Sequence, residues 1–582
     1  MSIKQVAKYT LLMAFAIFVA GCKPKVRTNV VVHELSDTDM LNPTNYQSAE
    51  AGYYLGKLFS TALTVDPVTL ELVPSLVTEL PVVGYDSTTG FTSYTYEIRP
   101  EAKWDNGTPI TAKDALFSLK VYKCPRVDNE QIKPYFESID NVILYPENER
   151  KYTIVCNKVY HINLEMSGQF IFIPSYVYDP KGLLEEFSLP DFNAKAAELA
   201  ENAKIKEFAT DYNSEKFQRE KGFIIGSGPY EFDVWEPGIK VVLKKKKDWW
   251  GDALAEKGLT QFEANIDELV YKVVNDQTGA IVALKGLKLD VMHGIKPKDW
   301  VTDLTVNEKL KENFWLSTPP SMSYSYFGLN LRNPKFTDKN VRKALAHLVD
   351  VNKIIDVIQY NLAERVNGFM HPSKKIFYND TITHYDYNIE KARQLLADAG
   401  WNDSNGNGTI DKMIDGQLTE FNITFTYNNG NDSRRDAALI FKEAAREVGI
   451  NVDVVPQEWS IYIDNQKKHD FEMFYGAWIS GVGESDPKQI FHTESINGGS
   501  NYGFFGNAES DALIDALRGE LDINKRAVYY KQLQAIIHDE VPYIFLFAPL
   551  ERIAISKKFE EVKTTPLRPG YQEETFRFKQ VD

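Results

Sequence analysis

A chain of 582 residues that is 43% hydrophobic and 13% aromatic carries enough apolar material for a substantial core, and its length predicts two or three lobes. Its 66 basic side chains against 81 acidic ones leave a formal charge of −15, which argues against nucleic acid as a partner, because backbone binding needs a basic stripe. The three cysteines, Cys22, Cys124 and Cys156, show no metal-binding spacing.

The amino terminus carries Lys4 and Lys8 and no acid, and residues 9–21 are uncharged. That stretch is too short for a bilayer span, which takes about 20 apolar residues, but it suits the hydrophobic part of a signal peptide. It ends in Val19, Ala20, Gly21 and Cys22, which resembles a bacterial lipobox with Val19 in place of the usual Leu. Residues 1–21 therefore read as a lipoprotein signal peptide and Cys22 as the acylated residue. This predicts a protein of the cell envelope, tethered to a membrane on its extracytoplasmic side, with residues 23–28 as a short polar tether. No later run of 18 apolar residues occurs. In an oxidising compartment Cys124 and Cys156 either pair or stay as two buried thiols.

Residues 30–33 form a short apolar run suited to a buried strand, and Ser36, Asp37, Asn42 and Pro43 mark the loop after it. Helical spacing follows over 48–63. Strand-like alternation returns at 93–99, and Thr111 with Asp114 makes a capping-box-like helix start. Residues 139–156 read as two strands joined at 146–148, and the Ala-, Glu- and Lys-rich 183–218 as surface helices. Strands are predicted at 241–247 and 268–274, and helices at 352–358 and 388–399, the second closing at Gly400. Two βα units begin at 421 and 451. Strands alternating with helices make the chain α/β.

Several segments in order resemble the family 5 extracellular solute-binding proteins, the oligopeptide, dipeptide and nickel binders of ABC importers. They are residues 94–99, 103–118, 226–230, 329–345 and 385–401, together with Trp459 and 478–487. The similarity runs from about residue 30 to 570. It implies a periplasmic-binding-protein-like fold of three lobes with the ligand cleft between them. The first lobe would comprise 28–65, 221–319 and 543–582, with a small lobe inserted at 66–220 and a distal lobe at 320–542. Hinge strands are expected at 319–324 and 542–547, and Gly226, Gly228 and Pro229 are expected to shape a loop between lobes. Thr337 or Asp338 should cap the following helix.

In that family an aspartate in the loop matching 478–487 pairs with a peptide's amino terminus. Here no acid stands at Ser480 or Gly481; Glu484 is the candidate replacement, and Asp486 matches the family's Asp-Pro pair. The dipeptide-binding branch places an arginine where Tyr427 stands. Without these anchors a dipeptide is disfavoured, and a longer peptide held by main-chain pairing fits better. Trp459 and Trp478 are either pocket walls or core tryptophans. His33, Glu34 and the loop to Asn45 lie where the family's first strand meets ligand, with plain burial of His33 as the alternative.

Asp403, Asn405, Asn407 and Asp411 take positions 1, 3, 5 and 9 of an EF-hand-like loop, with Gly408 at 6 and the Thr409 carbonyl at 7. Position 12 is Ile414, so Asp415 would have to supply the last ligand. The loop is either a structural calcium site or a polar turn; no cofactor is required.

The function expected is capture of a peptide-like solute, most simply an oligopeptide, by a monomer that delivers it to an ABC permease without chemistry. A lipid-anchored hydrolase is the rival, although neither HExxH nor GxSxG occurs. A receptor or adhesin lipoprotein is the third reading.

Overall fold

The computed structural model describes residues 28–481 and 483–580, so the expected signal peptide and Cys22 lie outside the described residues. Three separate stretches of chain meet in a seven-stranded sheet. From edge to edge its strands are Phe314–Ser317, Ile553–Ser556, Val291–Met292, Asn29–Glu34, Glu268–Val273, Lys240–Lys245 and Tyr230–Glu236. Asn29–Glu34 runs parallel to Glu268–Val273, with Val30 opposite Leu269 and Val32 opposite Tyr271. Its β-branched residues fit a strand flanked on both sides, and Val30 and Val32 are fully buried.

A second sheet belongs to the inserted segment: Val82–Asp86, Phe91–Glu97, Asn148–Cys156 and Ile139–Tyr145, antiparallel throughout. Phe91–Glu97 buries alternate residues, Thr92, Tyr94 and Tyr96, as a period-two strand must. The helix Ala112–Lys123 starts where Asp114 accepts the Thr111 N–H at 2.7 Å. Tyr94, Tyr96, Tyr152 and Phe172 join Val30, Val32 and Leu269 in one continuous core, so the insert and the first sheet are packed as a unit.

The distal sheet orders Asn451–Gln457, Asn422–Asn428, Met473–Ile479, Ser323–Leu329 and Tyr543–Phe545. All seven residues of Ser323–Leu329 are buried because each face packs a different core. Phe327 and Leu329 join Phe425, Phe441 and Trp401 on one side; Tyr324 and Tyr326 join Phe474, Phe491 and Tyr530 on the other. The helix Lys339–His347 is capped by Asp338, which accepts the Asn340 N–H at 2.8 Å.

Two corrections concern the boundaries. Tyr543–Phe545, expected in the first lobe, pairs with Ser323–Leu329 in the distal sheet, and Phe547–Pro549 pairs with Ala363–Arg365. The second crossing therefore lies at 549–552 instead of 542–547. There Pro320 bridges Leu550, Ser321 N–H donates to the Pro549 carbonyl at 3.0 Å, and Glu551 N–H donates to the Pro319 carbonyl at 2.8 Å. The apolar run 541–550 contains no break that would tell the last distal strand from the crossing. Gly226 and Gly228, expected between lobes, instead press on the end of the helix Ala49–Leu58. A Cβ on either would stand 2.4 Å from the carbonyl oxygen of Leu58 or Lys57, and Gly228 N–H bonds to the Leu58 carbonyl.

The centre of the distal sheet depends on two glycines facing two rings across the Ser323–Leu329 and Met473–Ile479 pair. Gly328 opposes Phe474 and Gly476 opposes Tyr326. A Cβ on Gly476 would lie 2.1 Å from the Tyr326 ring, and that ring cannot yield because it is stacked on Tyr543 at 3.9 Å. Gly476→Ala is expected to destabilise the distal lobe by about 1–3 kcal/mol through overpacking, read as a lower denaturant midpoint; an unchanged midpoint would show that the ring has room to move.

Candidate functional site

Where the inserted lobe approaches the distal lobe, a cavity of about 730 Å³ opens, within the size range of small-ligand sites. Its insert wall includes Tyr160, Glu165 and Met166, and its distal wall Tyr324, Trp478 and Glu484. Sequence position explains the distal wall. Met473–Ile479 is buried through Gly476 and then emerges, delivering Trp478 at its end and residues 483–487 beyond. Trp478 lies nearly parallel to the Tyr502 ring at 6.5 Å.

Half-buried charges join the two walls. Asp486 accepts the Tyr160 hydroxyl at 2.6 Å, the Arg518 Nε–H at 3.0 Å and the Lys488 backbone N–H at 3.0 Å. Tyr160 comes from the insert and the rest from the distal lobe, so this carboxylate spans the junction. Next to it His161 N–H donates to the Arg518 carbonyl at 3.0 Å, and the Arg518 guanidinium sits 4.7 Å above the Tyr160 ring. Tyr530 donates to the Ser485 carbonyl at 2.5 Å and lies 3.4 Å from His161 Nε2. Glu484 is held in a fork by Arg526, at 2.7 Å to Nε and 2.5 Å to Nη2. Lys374 donates to the Gly483 carbonyl at 2.6 Å and lies 3.3 Å from Ser485 Oγ; burial brings its pKa down to about 8.

The residues expected at the site divide accordingly. Trp478, Glu484 and Asp486 all reach the cavity. Glu484, however, does not present a free acid to a ligand amine, because Arg526 engages both its oxygens. Trp459 is 59% exposed at the start of the helix Trp459–Lys467, outside the distal cores. Tyr427 is buried in the distal core. Asn45 accepts from Thr44 Oγ1 at 2.8 Å and donates to Asn213 Oδ1 at 2.9 Å, so it fastens a loop to the insert and lines no cleft. His33 and Glu34 end the first-lobe strand, both buried. His33 Nε2 lies 3.1 Å from the Val274 carbonyl, and burial lowers its pKa. Glu34 lies 3.5 Å from His293; burial pulls that imidazole down, but the Glu34 carboxylate outweighs it and leaves the pKa raised.

The two cysteines are not joined, and the acidic loop is organised by hydrogen bonds of its own. Cys124 and Cys156 are separate buried thiols, pushed by burial up to about 11 and about 12, and no bridge links them. In the acidic loop, Asp403 accepts the backbone N–H groups of Gly406, Asn407 and Gly408, and Asn405 and Asn407 cap N–H groups two residues on. Asp411 is buried and accepts the Ser404 hydroxyl at 2.5 Å. Asp415, expected as the last calcium ligand, is instead the first residue of the two-residue turn between Asp411–Ile414 and Gln417–Glu420, with φ of 50° beside Gly416 at 81°. That turn carries it a strand length away from Asp411. Among the described residues no group of three or more His, Cys, Asp or Glu is placed to hold a metal. Tyr160, Glu165, Lys374, Arg518 and Arg526 were not legible as site residues, because they come from separate segments and share no spacing.

The model of bacterial extracellular solute-binding proteins, family 5 Middle, matches residues 71–499. The oligopeptide-binding protein AppA of Bacillus subtilis (strain 168) is 27% identical over 580 residues, covering 97% of this chain and 96% of its own. A dipeptide-binding protein of Escherichia coli (strain K12) is 26% identical over 341 residues, 58% of this chain and 57% of that one. Among solved structures, Bacillus subtilis AppA in complex with a nonapeptide gives a TM-score of 0.70 at 24% identity, covering 96% of this chain and all of that one. NikZ from Campylobacter jejuni in complex with Ni(L-His) gives 0.70 at 22% identity, covering 94% and 99%. These structural likenesses speak to the fold.

The junction also predicts a pH dependence. Burial lowers the pKa of His161 to about 4, with Asp486 opposing the shift and Arg526 and Arg518 reinforcing it. The unfolded chain, with His near 6.5, takes up that proton first on acidification. Stability that is complete above pH 6.5 is therefore lost as the pH falls towards 4. In His161→Gln, proton uptake on unfolding at pH 5–5.5 should drop by about one; comparing the pH dependence of thermal midpoints for the two proteins measures this, and identical slopes would refute it.

Proposed function

Because the chain belongs to the bacterial extracellular solute-binding proteins of family 5, we propose that it captures a peptide between its lobes and releases it unaltered to an ABC permease. One observation carries the reading. A cavity of about 730 Å³ is walled by two lobes with separate cores, and among the described residues the chain passes between those lobes at two crossings. Such a joint permits opening and closing, and a ligand touching both walls favours the closed form.

The peptide, as opposed to a small ion, is supported by backbone geometry. Met473–Ile479 pairs along its whole length with Ser323–Leu329, but on its other side only Met473 and Phe474 pair with Asn422–Asn428. Past Tyr475, whose carbonyl accepts the Tyr462 hydroxyl, residues 477–479 offer an edge that no other described strand pairs with on that side and that an extended peptide can extend, beside aromatic walls for its side chains. The oligopeptide binder that matches this chain end to end points the same way. Capture without chemistry is supported by the character of the charged groups in the cavity wall: the carboxylates of Glu484 and Asp486 are held by arginines as fasteners, not poised as acid and base. The amino-terminal pattern around Cys22 supports a lipid-anchored receptor on the outer face of a membrane.

Mass spectrometry of the solute released on denaturing the purified protein, together with a peptide mixture incubated and recovered, tests the reading. Intact bound peptides are expected; cleaved products would favour the hydrolase. Trp478→Ala should weaken peptide affinity about 10- to 100-fold, as loss of an aromatic anchor does, with circular dichroism unchanged; full affinity would take Trp478 out of the site. Cys22→Ser should move the protein from the membrane fraction to the soluble extract, and persistent membrane attachment would exclude the acyl anchor.

A further inference from the structure

The cavity wall carries four carboxylates, Glu137, Glu165, Glu484 and Asp486, in very different electrostatic settings. Arg526 grips Glu484, and Arg518 and Tyr160 hold Asp486. Glu137 is exposed, where water screens it. Glu165 differs from all three. It projects from the short insert helix Asn163–Gly168 and is only partly exposed, and among the described residues no ion pair or hydrogen bond reaches its carboxylate. Its nearest cation of consequence, Lys374, directs its ammonium at Gly483 and Ser485 instead. Burial raises the Glu165 pKa, Lys374 lowers it and Glu484 raises it further.

The position is a tight one. A Cβ on Gly483 would stand 2.4 Å from Glu165 Oε2, so the carboxylate rests against the bare backbone of the distal loop. A carboxylate held out of bulk water, whose one nearby ammonium is hydrogen-bonded elsewhere, is stabilised by a further cation that arrives with hydrogen-bond donors. Tyr324 and Trp478 on the distal wall add aromatic rings that attract a cation. A lone carboxylate does not make a metal site. Resting on the peptide reading above, we infer that Glu165 receives an ammonium group of the bound solute, a peptide's amino terminus or a lysine side chain. The acid absent from Ser480 and Gly481 in the distal lobe is supplied from the inserted lobe. The solute's positive charge then becomes a contact at the closing face between the two.

The test uses the full-length protein and a randomised pentapeptide pool in three mass-tagged forms: lysine-free with a free amino terminus, lysine-free and N-acetylated, and N-acetylated with one lysine. Bound peptides are separated by gel filtration and counted by mass spectrometry. Wild type should enrich an ammonium-bearing form at least about 10-fold over the lysine-free acetylated form, the strength of a charge-assisted hydrogen bond. Which form is enriched distinguishes the amino terminus from lysine. Glu165→Gln should bring the ratio close to one, and Glu165→Asp should restore part of it, with thermal midpoints confirming folded protein. Equal recovery of all three forms by wild type, or a ratio that survives Glu165→Gln, overturns the inference and leaves peptide capture standing. Recovery of no peptide by wild type overturns both.

Discussion

The junction around Asp486 is the interaction that joins the inserted and distal lobes across the cavity. Buried members of the two proximal cores come only from residues before 315 and after 552, and those of the two distal cores only from 324–548. Hydrophobic burial therefore stabilises each side largely separately, apart from Leu362 of the distal side, which packs against a proximal core. What does hold them is polar: the Tyr160 hydroxyl and the His161 N–H from one side meeting Asp486 and Arg518 from the other, plus backbone pairing of the crossing strands. Polar contacts exchange with water at a small net free energy. The closed form is thus poised, and a solute with contacts to both walls can decide the balance.

A poised joint is useful only if the jaws themselves are stiff. In the distal lobe stiffness comes from aromatic packing on both faces of one sheet, where Tyr326 stacks on Tyr543, and Phe327 meets Phe425 edge-on at 4.9 Å. The interdigitation of rings with Gly328 and Gly476 leaves no slack at the centre of that sheet. Trp478 emerges from this frame two residues past Gly476, so its position at the cavity is set by the rigid part of the lobe and not by the loop that follows.

Local order was largely legible and cross-chain order was not. The alternation at 93–99, the capped start at Thr111 and the Asp338 cap are written in residues a few positions apart, and each took its expected form. The allegiance of Tyr543–Phe545 was not legible, since an apolar run reads the same whichever sheet it joins. Asn45 and Tyr427 went astray for a related reason: a resemblance places residues along the chain but does not say which face they turn to. At the site, Trp478 and the 484–486 loop were found through their motif. Their partners Arg518 and Arg526 lie 32 and 42 positions later on helices, where arginine looks like any surface charge.

That blind spot matters for how specificity is read in a chain of this kind. A carboxylate in a sequence motif attracts attention, yet Glu484 has both oxygens engaged by the Arg526 guanidinium, and breaking such a pair to admit another cation is costly. The carboxylate with capacity for a new partner is the one in no motif, Glu165, on a six-residue helix of a different lobe. The difference lies in the counter-ion, a property of the folded neighbourhood and not of the residue. Moving a recognition charge from the distal loop to the insert also changes what it does. On the loop it would tether a solute to one jaw, whereas on the insert it adds a force across the joint that only a charged solute completes, so that recognition and closure become the same event.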